Sequence, residues 1–482
     1  MQRQERDVAA SRSCSDLQMV YYILVFRESR KSERPDGLPK VLPPGPRGRP
    51  LTGNLLDYTR DHLAFLTRCA REYGDVVRLR FVNVPVYLLN HPDHVEYVLV
   101  KNNRNFIKSR GERISLGFLG NGLLTSEGSF WRRQRRLAQP AFHRERISAY
   151  GEVMVECTGR MISGWRDGET QEVHRDMMRL TLEIVARTLF GVPLASAEFE
   201  EVGDALTTIA QRFTGRGGVF FQLPEKVPTP GNLRFRRAIR RLDALIHGII
   251  HDRRASGEDA GDLLSMLLAV RDEETGEGMT DRQLRDEAMT VFLAGHETTA
   301  NALSWTWHLL SRHPEVESRL QEELDEVLAG RPPTVEDLPR LRYTDIVVKE
   351  SMRLYPPAWA FGRETLADCE IGGYHVPSGT QLIMSQWVMH RDPRYYEEPD
   401  KFRPERWGDG STERLPKYAY FPFGGGPRLC IGQSFAKMEA VLLLATVAQQ
   451  FRLRSAPGER IAPQPSITLR PRNGMRMVLE KL

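Results

Sequence analysis

The stretch Phe421-Pro-Phe-Gly-Gly-Gly-Pro-Arg-Leu-Cys430-Ile-Gly432 carries the densest chemistry in this chain. A single cysteine closes a glycine-rich turn, and an apolar helical run follows from Ile431 to about Phe451. A sulfur there lies at the positive end of a helix, where free N–H groups and the macrodipole favour the thiolate. Gly424, Gly425 and Gly426 let the backbone turn sharply and approach a flat ligand closely. Arg428, two residues before the cysteine, can reach an anionic group beside it. A lone cysteine in a loop is more often an inert core residue. The joint spacing of Phe423, Gly424, Gly426, Arg428, Cys430 and Gly432 argues against that here.

The surrounding composition narrows the function. The chain has 482 residues, 40% of them hydrophobic, enough for a large core and too few for a membrane-embedded protein. No Gly/Ser linker, low-complexity tract or internal repeat divides it. The five cysteines, Cys14, Cys69, Cys157, Cys369 and Cys430, are scattered and show no CxxC spacing. That disfavours a disulfide framework or a zinc site and fits a reducing, cytoplasmic compartment. A formal charge of +5 is mild for this length, so nucleic-acid binding is not implied. Ten lysines against 58 arginines suggest a GC-rich, bacterial genome. Residues 1–40 are polar and charged, and are expected to be a poorly ordered extension. Their apolar stretch Met19–Phe26 is far below the roughly twenty residues that span a bilayer. No transmembrane segment is therefore expected, and a weak peripheral membrane contact is the most this stretch could support.

Along the rest of the chain, Leu42-Pro-Pro-Gly-Pro46 forces an extended path. Arg78–Phe81 and Val84–Leu89 read as a hairpin. Helical periodicity then dominates. Thr280-x-x-Gln283 has the form of a capping box and opens a long helix that His313-Pro314 ends. A second helix covers about Tyr343–Leu354. Short strands are expected near Ile371, Val376, Leu382 and Thr468.

Four further clusters stand out. Ala294-Gly-His-Glu-Thr-Thr299 puts a glycine, costing roughly 1 kcal/mol, and polar groups in the middle of the long helix. Thr298 can bond back one turn and distort the helix locally. His296 lies about 100° around the helix from Glu297 and reads as structural. Glu350-Ser-Met-Arg353 pairs opposite charges at i, i+3. Phe402-Arg-Pro-Glu-Arg406-Trp407 follows. Trp131-Arg-Arg-Gln-Arg135-Arg136 is a basic helical face with Trp131 and Arg135 on one side. Taken singly, these charge pairs and runs would be solvated surface.

Together these segments resemble the cytochrome P-450 superfamily, the haem-thiolate monooxygenases. The pattern Phe-Gly-x-Gly-x-Arg-x-Cys-x-Gly is met at every fixed position, and the likeness runs in order from about Leu42 to the C-terminus. The resemblance implies one mainly α domain over 41–482, with a small β-rich part and a long central helix over the cofactor. It implies haem b with Cys430 as the metal ligand, seated in a loop of Phe423, Gly424, Arg428 and Gly432. By the same likeness Trp131, Arg135 and Arg363 join Arg428 at the haem propionates. Glu297 would belong to a proton relay and Thr298 would contact dioxygen. Glu350, Arg353 and Arg406 would form a buried structural triad; Trp407 departs from the commoner Phe. Phe292, Ala294, Trp359, Phe361, Ile467 and Leu469 match substrate-contact segments, and Phe213, Phe220 and Phe221 a mobile roof.

The implied activity is insertion of one oxygen atom from dioxygen into a hydrophobic substrate of lipid, terpenoid or steroid type. Electrons would come from NAD(P)H through a separate ferredoxin or flavodoxin with its reductase. That partner would dock on a basic face of Arg132, Arg133, Arg136 and Lys437. A monomer is expected. The rival readings are a non-catalytic haem-binding or sensor protein, and a haem-thiolate isomerase or dehydratase; both are disfavoured by the presence of Glu297 and Thr298.

Overall fold

The computed structural model describes residues 41–115, 117–142, 148–191, 196–212, 227–272 and 276–482. Residues 19–26 and the aromatic positions Phe213, Phe220 and Phe221 lie outside them. Six helices position the site: α1 (His62–Tyr73), α2 (Gly128–Ala138), α3 (Val173–Leu189), α4 (Asp281–Leu310), α5 (Arg342–Leu354) and α6 (Gln433–Ala448).

Helix α4 is the axis of the molecule. Thr280 and Gln283 close its first turn reciprocally: the Gln283 N–H donates to Thr280 Oγ1 at 3.3 Å, and the Thr280 N–H to Gln283 Oε1 at 2.8 Å. Past Leu284 the helix is buried on nearly every side, which suits its apolar composition all round. Its C-terminal half seats Trp305 and Trp307 in the core. The helix runs unbroken through Gly295. The glycine serves packing there, since a Cβ would come within 3.0 Å of Val185 Cγ2 on α3. Thr298 does bond back to the Ala294 carbonyl, at 2.8 Å, without interrupting the helix.

The β-rich part is a five-stranded sheet of β1 (Val76–Phe81), β2 (Val84–Leu89), β3 (Phe106–Lys108), β4 (Phe361–Thr365) and β5 (Gln381–Met384), in the order β1-β2-β5-β4-β3. The expected hairpin is β1–β2. Antiparallel pairing of β3 with β4 sets Lys108 directly across from Arg363. Two-stranded ladders pair Cys369–Ile371 with Tyr374–Val376, and β6 (Pro463–Pro465) with β7 (Leu469–Pro471). Thr468 lies just outside β7, in the turn of that hairpin. The run after Cys430 gives α6, which stops at Ala448, and Phe451 opens a strand to Ser455.

Candidate active site

The cysteine loop is closed by the Cys430 N–H donating to the Phe423 carbonyl at 3.0 Å. Gly424 and Gly426 both have positive φ, 73° and 65°. At Gly426 a side chain would also collide with the Leu99 carbonyl. Cys430 is exposed to a cavity of about 1600 Å³ that runs between this loop and α4. Burial pushes the Cys430 thiol up, while the Gly432 N–H and Arg135 pull it down.

Cations surround one rim of that cavity. Arg135 donates to the Leu429 carbonyl at 2.8 Å. The Arg428 guanidinium sits 4.2 Å over the Trp131 ring, donates to the Ser126 carbonyl at 3.0 Å and pairs with Glu127. Arg363 donates to the Gly362 carbonyl at 2.7 Å, with Glu112 4.0 Å away. Lys108 completes the set and was not legible in the sequence, because only the β3–β4 register brings it to Arg363. Burial first, then Arg363 and Arg428, push its ammonium down to about 8 against the pull of Glu112. Arg428 is likewise lowered, to about 10, by burial, with Arg363 adding to the effect against the pull of Glu127. Buried cations that also repel one another in this way fit a ligand edge carrying carboxylates. With a lone thiol facing the same space, the donor set fits a haem that Cys430 would hold and whose acid groups Lys108, Arg135, Arg363 and Arg428 would meet.

Across the cavity, α4 presents Ala294, Glu297 and Thr298. Glu297 is 4% exposed, and its Oε1 accepts from Arg470 Nη2 and Thr468 Oγ1. Burial works to raise this carboxyl, but Arg470, Thr468 and the adjacent His296 outweigh it and hold it below its ordinary value. His296 points away: it is buried, and its Nδ1 donates to the Phe292 carbonyl at 2.6 Å.

Trp359, Phe361, Ile467 and Ala294 all line the cavity. Phe292 and Leu469 do not. Phe292 turns into the core and stacks on Phe190 at 4.3 Å. Leu469 is fully buried, packed among core residues, and its carbonyl accepts from Trp305 Nε1 at 2.9 Å. Phe292 follows from helix geometry, in which neighbouring residues face different ways, while Ile467 lies in the hairpin turn and Leu469 opens β7. The structure adds Leu123, Leu124 and Val291 to the wall. The loop carrying Leu123 is pinned to the first turns of α4: the Asn121 N–H donates to Asp286 at 2.8 Å and the Leu123 N–H to Glu287 at 3.0 Å.

Glu350, Arg353 and Arg406 lie together behind the cysteine loop, at most 2% exposed. Arg353 is bidentate on Glu350 at 2.9 Å in both contacts, and Arg406 Nε donates to Glu350 Oε1 at 2.9 Å. Trp407, the departure noted above, donates its Nε1 to Glu350 Oε2 at 2.8 Å, which a Phe could not do. The basic face of α2 is weaker than its sequence suggests. Arg133 and Arg136 lean on buried Asp272, at 3.3 and 2.9 Å, while Arg132 and Lys437 stay exposed.

Residues 43–477 match the family model described as Cytochrome P450. The chain belongs to the cytochrome P450 family. It is 42% identical over 431 residues to cyclooctatin synthase of Streptomyces melanosporofaciens, covering 88% of this chain and 92% of that protein. Cyclooctat-9-en-7-ol 5-monooxygenase of the same organism is 40% identical over 428 residues, with 89% and 93% covered. Pentalenene oxygenase of Streptomyces avermitilis is 37% identical over 428 residues, with 87% and 92% covered. Among solved structures, retinoic acid bound cyanobacterial CYP120A1 superposes with a TM-score of 0.82 at 28% identity, covering 92% of this chain and all of that one. The fold is that of a cytochrome P450, and the chain is a P450 monooxygenase, using haem, dioxygen and reductant electrons as its family does. No helix among the described residues is long and apolar enough to cross a membrane.

Proposed function

We propose that this P450 hydroxylates a terpenoid at an unactivated carbon, with electrons relayed from NAD(P)H by a separate ferredoxin or flavodoxin. The observation that carries the reading is the wall of the cavity between Cys430 and α4. Leu123, Val291, Ala294, Trp359, Phe361 and Ile467 offer hydrocarbon surface there, where burial contributes about 25 cal/mol per Å² and a charged substrate would be penalised. Relatives named for acting on cyclooctat-9-en-7-ol and pentalenene favour a terpenoid over a fatty acid or steroid.

Haem, when bound, supplies the oxygen activation. Cys430 would hold it, and Lys108, Arg135, Arg363 and Arg428 would orient its acid edge. The apolar wall excludes water and fixes which carbon approaches. Thr298 and Glu297, one residue apart on α4, place a hydroxyl and a carboxylate where protons are consumed. Arg132 and Lys437 give the partner protein a cationic landing surface near the cysteine side.

The test is a Soret titration of the haem-loaded enzyme, followed by turnover with a ferredoxin system and mass analysis of products. Cyclic terpenes should shift the band and gain one oxygen atom, and Cys430→Ala should abolish the red-shifted carbon-monoxide band of thiolate ligation. A response confined to fatty acids, or to small polar metabolites, would overturn the substrate class.

A further inference from the structure

We propose that Arg470 and Thr468, from the β6–β7 hairpin, are positioning residues for the proton-handling carboxylate: they grip one oxygen of Glu297 and leave the other to exchange a proton with the cavity. The inference rests on reading Glu297 as the acid of the monooxygenase. It adds two residues that lie 171 and 173 positions further along the chain.

The grip is one-sided. Both donors, Arg470 Nη2 and Thr468 Oγ1, meet Glu297 Oε1. Oε2 takes no hydrogen bond from the described residues, and Glu297 lines the cavity. Thr468 has only one hydroxyl proton, spent on the carboxylate. Its orientation is fixed from behind by Asn301 Nδ2, which donates to Thr468 Oγ1 at 3.1 Å. Asn301 is one turn beyond Glu297 on α4 and fully buried, so helix and hairpin are tied at the same point.

The charges around the pair are simple. On α3, His174 is pushed down to about 4 by burial and by Arg470, and its Nδ1 lies 3.2 Å from Ser304 Oγ. On α4, burial also lowers His296. Burial disfavours charge on both imidazoles, so Arg470 is the main cation beside Glu297. Among the described residues Arg470 has no second acid, and its Nε is buried without a partner. A buried carboxyl without its cation would hold its proton at neutral pH. Paired with Arg470, Glu297 rests ionised. It can take a proton at Oε2 from hydronium that reaches the cavity from solvent and give it up again at the same atom, returning to the state in which it began.

Difference infrared spectra of the haem-loaded enzyme between pH 5 and 8 read the protonation of Glu297 without turnover. In the wild type, no protonated-carboxyl band removable by Glu297→Gln should be present at pH 7. Arg470→Met should produce one within the pH 5–8 window, its midpoint moved up into that window, and Arg470→Lys should keep the wild-type spectrum. Product formed per NADPH should fall severalfold in Arg470→Met and recover as pH rises, and this pH step should vanish in Arg470→Met/Glu297→Gln. If Arg470→Met does not take up haem, Thr468→Ala carries the same test with a smaller upward shift. An unchanged Glu297 midpoint in the variant that folds, or an equal loss of yield with and without Glu297, overturns the proposal. Failure of every terpenoid to react would sink the substrate reading and leave the infrared result standing.

Discussion

Two buried glutamates, Glu350 behind the cysteine loop and Glu297 over the cavity, each meet an arginine, yet they are completed differently. Glu350 receives five donors on its two oxygens: Arg353 twice, Arg406, the Trp407 indole and the Arg403 N–H. It has no lone pair left for chemistry. Glu297 receives two donors, both on one oxygen. The contrast separates a carboxylate that holds the fold from one that can work. Saturation, more than burial or charge, tells them apart, since both are buried and both are paired. A third case lies between them. Glu287 is buried, accepts only the Leu123 N–H among the described residues, and has its other oxygen buried without a partner there.

The sharpest way to break the comparison is at the saturated end. Arg353→Met strips two donors from Glu350 and leaves a buried carboxylate short of charge. It should cost about 3–5 kcal/mol and show as a lower denaturation midpoint with poor haem retention. Loss of turnover in a fully stable Arg353→Met protein would show that the triad does more than scaffold.

Glu287 gives the next largest effect, and a pH-dependent one. Burial raises its carboxyl to about 7, opposed by the Leu123 N–H and aided by Asp286. Because the folded value lies above the unfolded one, the neutral acid is favoured in the native state. Its contribution is fully present below about pH 4.5 and is lost as pH rises through about 7. Above that, the native protein carries a buried charge costing up to about 3 kcal/mol. Glu287→Gln should therefore raise Tm at pH 8 and change it little at pH 5. The opposite order would mean that the carboxylate is satisfied in its ionised form.

The smallest effect belongs to Trp407→Phe. It removes one of five donors from Glu350 and weakens the stacking of Lys349, whose Nζ sits 4.1 Å over the indole. Loss of about 1.5 kcal/mol in chemical denaturation, with unaltered haem binding, is expected. A loss as large as that of Arg353→Met would mean that the donors act only as a complete set.

What the sequence disclosed follows the same physics. The cysteine loop, the capping box of α4 and the Glu350–Arg353 spacing are local patterns, and each reappears in place. Trp359, Phe361 and Ile467 could be placed on the wall because their segments are short and extended. Phe292 could not, because its direction depends on α3 packing against it. Lys108, Thr468 and Arg470 were invisible as partners, since strand register and hairpin docking place them and no periodicity records either. Trp407 was visible as an oddity, and the structure supplies its reason.

The β3–β4 register has a consequence in time. Lys108 and Arg363 are neighbours in space but 255 residues apart in the chain. At about 5–20 residues per second, the ribosome makes the second on the order of tens of seconds after the first, and Cys430 later still. Throughout that interval β3 lacks the strand that pairs with it. The cationic rim therefore cannot exist in a nascent chain, and a ligand that needs it can be captured only by a nearly finished protein.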